Sequence, residues 1–186
     1  PMGVLAVIGP FNFPGHLPNG HIVPALLTGN TVIFKPSEKT PLCGQLLAEC
    51  FQEANLPPGV FSLVQGEKET SRRLCTHEGI DGVLFTGSYE VGTRIKQDTL
   101  QQHWKILALE MGGKNAAIVW DDASLEVALR ETVTGAFITT GQRCSCTSRI
   151  FVHKSKFDEF CDAFHKRSKQ FSIGHPLDLS LIHISE

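Results

Sequence analysis

Short apolar runs alternate with stretches of helical periodicity along most of the chain. Residues 4–8 (Val-Leu-Ala-Val-Ile) are apolar throughout, the pattern of a parallel strand covered on both faces. Gly9 and Pro10 end it. Residues 17–27 carry apolar side chains at near-helical spacing, with Gly29-Asn30 as the stop, and 31–34 read as a second strand. Thr40 as N-cap and Pro41 at the first helical position open the next helix. Its apolar stripe is Leu42, Leu46, Leu47, Cys50, Phe51 and Ala54, which assigns Cys43 and Cys50 to packing. Pro57-Pro58-Gly59 closes that unit. Further strands are predicted over 60–64, 83–85 and 105–109, with a short helix over 70–75 and another carrying Val91 and Ile95. Strands and helices alternating at this spacing predict parallel βαβ units.

After Glu110-Met111-Gly112-Gly113-Lys114 the rhythm restarts. A strand over 116–120 leads to a helix over 125–137 with the stripe Leu125, Ala128, Leu129, Thr132, Val133 and Ala136. A strand over 150–152 follows. Phe157, Phe160, Cys161 and Phe164 then stand at i, i+3, i+4 and i+7, the stripe of a helix lying on a core. The double glycine marks the expected domain boundary, giving 1–113, 114–179 and a tail over 180–186. Pro1 opens almost directly into a strand and the tail stops in mid-pattern, so both ends are expected to be cut.

Composition narrows the picture. With 186 residues, 41% hydrophobic, and a net charge of −2, nothing points to nucleic acid or a membrane as partner. The longest apolar runs fall far short of the about 20 residues of a membrane span, and no signal peptide stands at the start, so a cytoplasmic protein is expected. The cysteines Cys43, Cys50, Cys75, Cys144, Cys146 and Cys161 are spread through helical patterns in a way that fits reduced thiols. No C-x-x-C pair occurs, and no metal site is expected.

Candidate chemistry gathers at particular places. Thr140-Gly141-Gln142-Arg143-Cys144-Ser145-Cys146 is a polar loop between a helix and a strand, and Cys144 is a candidate nucleophile. An unperturbed thiol is only a few per cent ionised at neutral pH, so a catalytic cysteine needs cationic or dipolar neighbours and access to substrate. Arg143 is a cation beside it, and Gly141 permits close backbone approach. A lone cysteine is equally a small buried hydrophobe, and the loop alone leaves both readings open.

Open α/β sheets bind ligands beyond the carboxyl ends of their strands. Asn12, Lys35 with Glu38, Gly87 with Ser88, and Glu110 all follow or end predicted strands. Each also has a plain alternative: an Asx turn, a solvated charge, a helix cap and a surface carboxylate. Gly87-Ser88-Tyr89-Glu90-Val91-Gly92 opens a helix after a strand, so backbone N–H groups could face a phosphate. It is neither G-x-G-x-x-G nor a P-loop.

Together the segments Pro10-Phe11-Asn12-Phe13-Pro14, Lys35-Pro36-Ser37-Glu38, Phe85-Thr86-Gly87-Ser88, Leu109-Glu110-Met111-Gly112-Gly113-Lys114 and Gly141-Gln142-Arg143-Cys144 resemble, in order and spacing, the NAD(P)-dependent aldehyde dehydrogenases. The match runs from Pro1 to about Asp178. Within that family, Gly15-His16-Leu17-Pro18-Asn19-Gly20-His21 with Ala108 through Gly113 is most similar to the branch acting on succinylglutamate semialdehyde in arginine catabolism. The fold this implies is α/β: a Rossmann-like parallel-sheet NAD-binding domain, then the start of a second α/β domain bearing the nucleophile.

By this resemblance, Cys144 would be the nucleophile and Glu110 the general base. The Asn12 amide would join the Cys144 N–H in an oxyanion hole. Lys35 and Glu38 would hold the adenosine ribose hydroxyls of NAD, with Glu38 repelling the 2′-phosphate of NADP; Ser37 would be a further cofactor-binding residue, and the loop over 87–92 would meet the pyrophosphate through Ser88 and backbone amides. The implied partner is a small-molecule aldehyde, and the full-length protein would be a homo-oligomer. Phe11 stands where many relatives carry Trp. The family's later carboxylate and Phe-Gly-Pro segment, which grips the nicotinamide ribose, has no match before Glu186, so the chain alone is expected to show little turnover.

Three other readings compete. A cysteine hydrolase could pair Cys144 with His153, His165 or His175, but leaves Glu110, Lys35 and Glu38 unexplained. An inactive NAD-binding module is the second. Another semialdehyde or pyrroline-carboxylate specificity is the third.

Overall fold

The computed structural model describes residues 1–175, 177 and 178; the tail over 180–186 lies outside them. The chain divides into two units, Pro1–Gly112 and Gly113–Glu186.

In the first unit the elements run β1 (Val4–Ile8), α1 (His16–Leu27), β2 (Thr31–Lys35), α2 (Pro41–Glu53), β3 (Phe61–Leu63), α3 (Lys68–Thr76), β4 (Gly82–Gly87), α4 (Tyr89–Asp98) and β5 (Ile106–Met111). The strands form one sheet in the order β3-β2-β1-β4-β5, and every neighbouring pair is parallel. The unbroken apolar run of β1 follows from its central place. Leu5 and Val7 pack with Ile22, Ala25, Val32 and Phe34, while Ala6 and Ile8 pack with Cys75, Ile80, Val83, Phe85 and Ile95. Side chains alternate across a strand, so a strand between two helical layers must be apolar at every position.

The face of α2 differs from the sequence expectation. Leu42 and Leu46 are 66% and 53% exposed, and Cys50 is exposed rather than packed. The buried side centres on Gly44, where a Cβ would stand 2.4 Å from the Pro36 ring, and Leu47 and Phe51 flank it on the core. The backbone comes closest where there is no side chain, so of the expected stripe Leu47 and Phe51 lie on the core while Leu42, Leu46, Cys50 and Ala54 face outward.

Lys105, between α4 and β5, is 7% exposed. Its ammonium donates to the Cys75 and His77 carbonyls at 2.8 and 2.9 Å, and Gln102 Nε2 donates to the Thr76 carbonyl at 2.8 Å. The orphan carbonyls ending α3 are thereby satisfied.

The second unit runs β6 (Asn115–Val119), α5 (Leu125–Phe137), a 3-10 turn (Ile138–Gly141), β7 (Thr147–Val152) and α6 (Phe157–Ser168). β6 and β7 are parallel, so this is a βαβ unit. The expected α5 stripe is the observed one, with Leu129, Thr132 and Val133 buried. On α6, Phe160 is buried and Ala163 and Phe164 lie against the same core, but Phe157 is 52% exposed and Cys161 is exposed. The helix is rotated so that Ala163 faces inward where Cys161 was expected.

Candidate active site

The strand order reverses direction between β1 and β4, the kind of switch point where open α/β sheets hold ligands. Ile8 stands opposite both Lys35 and Phe85, and Phe85 opposite Leu109. The segments following these residues therefore emerge along one carboxyl edge. Asn12 lies half-buried in the turn after β1, Lys35 ends β2, the loop over 87–92 ends β4 and opens α4, and Glu110 is exposed near the end of β5. Cys144 belongs to the second unit, on the loop that precedes β7.

Lys35 is not the solvated charge its residue type allows. Its side chain is 2% exposed, and its Nζ sits 3.8 Å from the half-exposed Glu38 carboxylate and donates to the Pro36 carbonyl at 2.6 Å. Burial lowers its pKa while Glu38 pulls it back up, the behaviour of a cation kept dry beside a counter-charge. Ser37 is 8% exposed, and its hydroxyl and carbonyl accept from the Lys39 and Thr40 N–H groups at 3.3 and 3.0 Å. The Lys35–Glu38 pair thus stands on a tightly turned backbone.

Along 87–92 the glycines are set by packing. A Cβ on Gly87 would stand 2.5 Å from the Phe85 ring, and one on Gly92 would stand 2.5 Å from Met111 Sδ. The Ser88 hydroxyl accepts from the Val91 N–H at 3.2 Å as the cap of α4, as the plain alternative had it. Tyr89 and Val91 are 71% and 45% exposed, and Glu90 lies in the first turn. The glycines let α4 start close to the sheet, which brings the positive end of the helix to the carboxyl edge.

His21 on α1 joins the same edge. Its Nε2 lies 3.0 Å from Thr86 Oγ1, and Thr86 stands opposite Glu110 in the sheet. Burial lowers the His21 pKa and the Glu110 charge partly restores it. The folded state therefore favours neutral His21. Stability from this residue is complete above the unfolded value of about 6.5 and is lost as pH falls through the lower folded value. In urea titrations His21→Gln should flatten the loss of stability below about pH 6.5; an unchanged acid slope would refute the burial argument.

In the second unit the cysteine loop is built from two turns. The Gln142 N–H donates to the Thr139 carbonyl at 3.1 Å, with Thr140 and Gly141 between them at φ 53° and 70°. Positive φ at both central residues is the type I′ pattern. Thr139 is also left-handed, at φ 56°. Gly141 suits this backbone, but for each β-branched threonine it costs on the order of 1–3 kcal/mol. The Cys146 N–H then donates to the Arg143 carbonyl at 3.1 Å, placing Cys144 and Ser145 at the corner of the second turn. Cys144 is exposed and Cys146 half-buried. The Asn115 amide reaches the Cys144 and Cys146 carbonyls at 2.6 and 3.1 Å, a contact the sequence reading missed.

Among the described residues no three His, Cys, Asp or Glu side chains gather as a metal site, and no helix is long and apolar enough to cross a membrane.

The aldehyde dehydrogenase family profile matches residues 1–183. The chain belongs to the aldehyde dehydrogenase family. That match passes Asp178, where the resemblance was read to stop. Relatives named N-succinylglutamate 5-semialdehyde dehydrogenase include one from Novosphingobium aromaticivorans, 49% identical over 96% of this chain and 38% of its own. Another, from Shigella flexneri, is 55% identical over 94% of this chain and 36% of its own. The chain thus spans little more than a third of these dehydrogenases. Among solved structures, lactaldehyde dehydrogenase from Escherichia coli superposes with a TM-score of 0.92 at 38% identity, over 95% of this chain and 37% of that one. An indole-3-acetaldehyde dehydrogenase complexed with NAD+ gives a TM-score of 0.92 at 34% identity, over 96% and 36%.

Proposed function

We propose that this chain supplies the NAD-binding part and the nucleophile of an enzyme that oxidises an aldehyde to a carboxylic acid. The observation that carries the cofactor reading is the buried Lys35 beside the surface carboxylate of Glu38 at the end of β2. A donor and an acceptor on one tight turn suit a pair of ribose hydroxyls, and the carboxylate disfavours a 2′-phosphate by like charge. The start of α4, with Ser88 as cap, offers N–H groups to a pyrophosphate. These residues fit the dinucleotide, which when bound supplies the hydride acceptor.

The remaining chemistry belongs to the chain. The Cys144 sulfur adds to the aldehyde carbon. The Asn12 amide and the Cys144 N–H stabilise the oxyanion, where losing one such donor raises the barrier by about 2.7–4 kcal/mol. Once hydride has left, a thioester holds the acyl group on Cys144, and Glu110 takes the proton from the water that hydrolyses it.

The relatives at 49% and 55% identity favour succinylglutamate semialdehyde as substrate. Its carboxylates suit the cationic Arg143. The function is that of a cytoplasmic homo-oligomer in the full-length protein. Steady-state kinetics on the full-length protein with an aldehyde panel test this reading. Succinylglutamate semialdehyde with NAD should give the highest kcat/KM; a preference for lactaldehyde, for pyrroline-carboxylate or for NADP would overturn it.

A further inference from the structure

We propose that Asn115 is a positioning residue that holds the nucleophile turn in its working shape. The inference rests on the reading of Cys144 as nucleophile. A side-chain amide carries two N–H donors, and Asn115 Nδ2 lies 2.6 Å from the Cys144 carbonyl and 3.1 Å from the Cys146 carbonyl. These carbonyls flank Ser145 inside the turn closed by the Cys146 N–H on Arg143. Peptide units are planar, so holding the Cys144 carbonyl holds the plane of the Cys144–Ser145 peptide; with the Arg143 carbonyl held by the Cys146 N–H, the peptides on both sides of the Cα that bears the sulfur are constrained.

The anchor is itself held. Asn115 pairs with Thr147 but Ala116 pairs with Arg149, so Ser148 is skipped and the strand is irregular at Asn115. Irregularities of this kind re-aim side chains. On the preceding residue, the Arg149 guanidinium donates to the Lys114 carbonyl through Nε at 3.1 Å and Nη2 at 2.7 Å. The left-handed run Thr139, Thr140 and Gly141 enters the turn from the other side. A turn entered through strained backbone has reason to relax, and the amide opposes it.

The test uses Asn115→Ala and Asn115→Asp in the full-length protein, with Cys144→Ser alongside. A misplacement of about 1 Å can reduce a rate by on the order of 10²-fold. Both Asn115 variants should lose about 10- to 100-fold in kcat while the KM for NAD and the melting temperature stay near those of the parent. Asn115→Asp should be the slower, since its carboxylate faces two carbonyl oxygens and donates nothing. Should Asn115→Ala fail to fold, Asn115→Ser takes its place. If Cys144→Ser is inactive and the Asn115 variants keep kcat within about twofold, positioning alone is refuted. A loss shared equally by kcat, KM and melting temperature refutes it as well, because that is a merely structural role. An active Cys144→Ser overturns the nucleophile reading and this inference with it.

Discussion

Cys144→Ser in the full-length protein is expected to abolish NAD-dependent aldehyde oxidation, while Cys146→Ser keeps most of it. Loss of a catalytic nucleophile can lower kcat by on the order of 10⁶, because a serine hydroxyl at neutral pH lacks the anionic fraction of a thiol. The structure separates the two cysteines. Cys144 is exposed at the turn's corner, whereas Cys146 is half-buried, closes the turn through its N–H and accepts from the Asn115 amide with its carbonyl. Those Cys146 contacts come from the backbone and survive a change of side chain. NADH formation under saturating aldehyde distinguishes the variants, and a dead Cys146 variant beside a live Cys144 variant would reverse the assignment.

What the sequence disclosed depended on how local the cause was. β1 was legible because a strand covered on both faces leaves no polar position, and the α5 stripe because its buried residues keep helical spacing. The inward face of α2 was legible only at Leu47 and Phe51, since its closest approach is Gly44 meeting Pro36 and a missing side chain leaves no apolar signal. α6 was legible at Phe160 and Phe164 and misjudged at its flanks for a related reason, with the small Ala163 lying inward and the more hydrophobic Phe157 outward.

Site residues divide the same way. The carboxyl-edge placement of Asn12, Lys35, Gly87 and Glu110 could be read from strand alternation alone. That Lys35 is buried could not, because charged side chains are rarely fully enclosed. Gly87 and Gly92 read as phosphate-facing glycines, yet Phe85 and Met111 already account for them. Asn115 was invisible because its partners lie 29 and 31 residues away and are reached through a register shift with no sequence signature.

Glu110→Gln should separate the two halves of the proposed reaction. The residue sits exposed near the carboxyl end of β5, opposite Thr86, where a water could meet it. A glutamine side chain keeps the shape but cannot accept the water's proton. Positioned general-base catalysis contributes about 10² to 10⁴ in rate, so steady-state kcat should fall by that factor while the first turnover survives. Rapid mixing of the variant with NAD and aldehyde should then give a burst of NADH close to the enzyme concentration, followed by a slow phase. Hydroxylamine, which attacks a thioester without a base's help, should restore much of the slow phase. A variant with no burst would mean that Glu110 acts before hydride departs, on the thiol and not on the water, and the role assigned to it in thioester hydrolysis would fail.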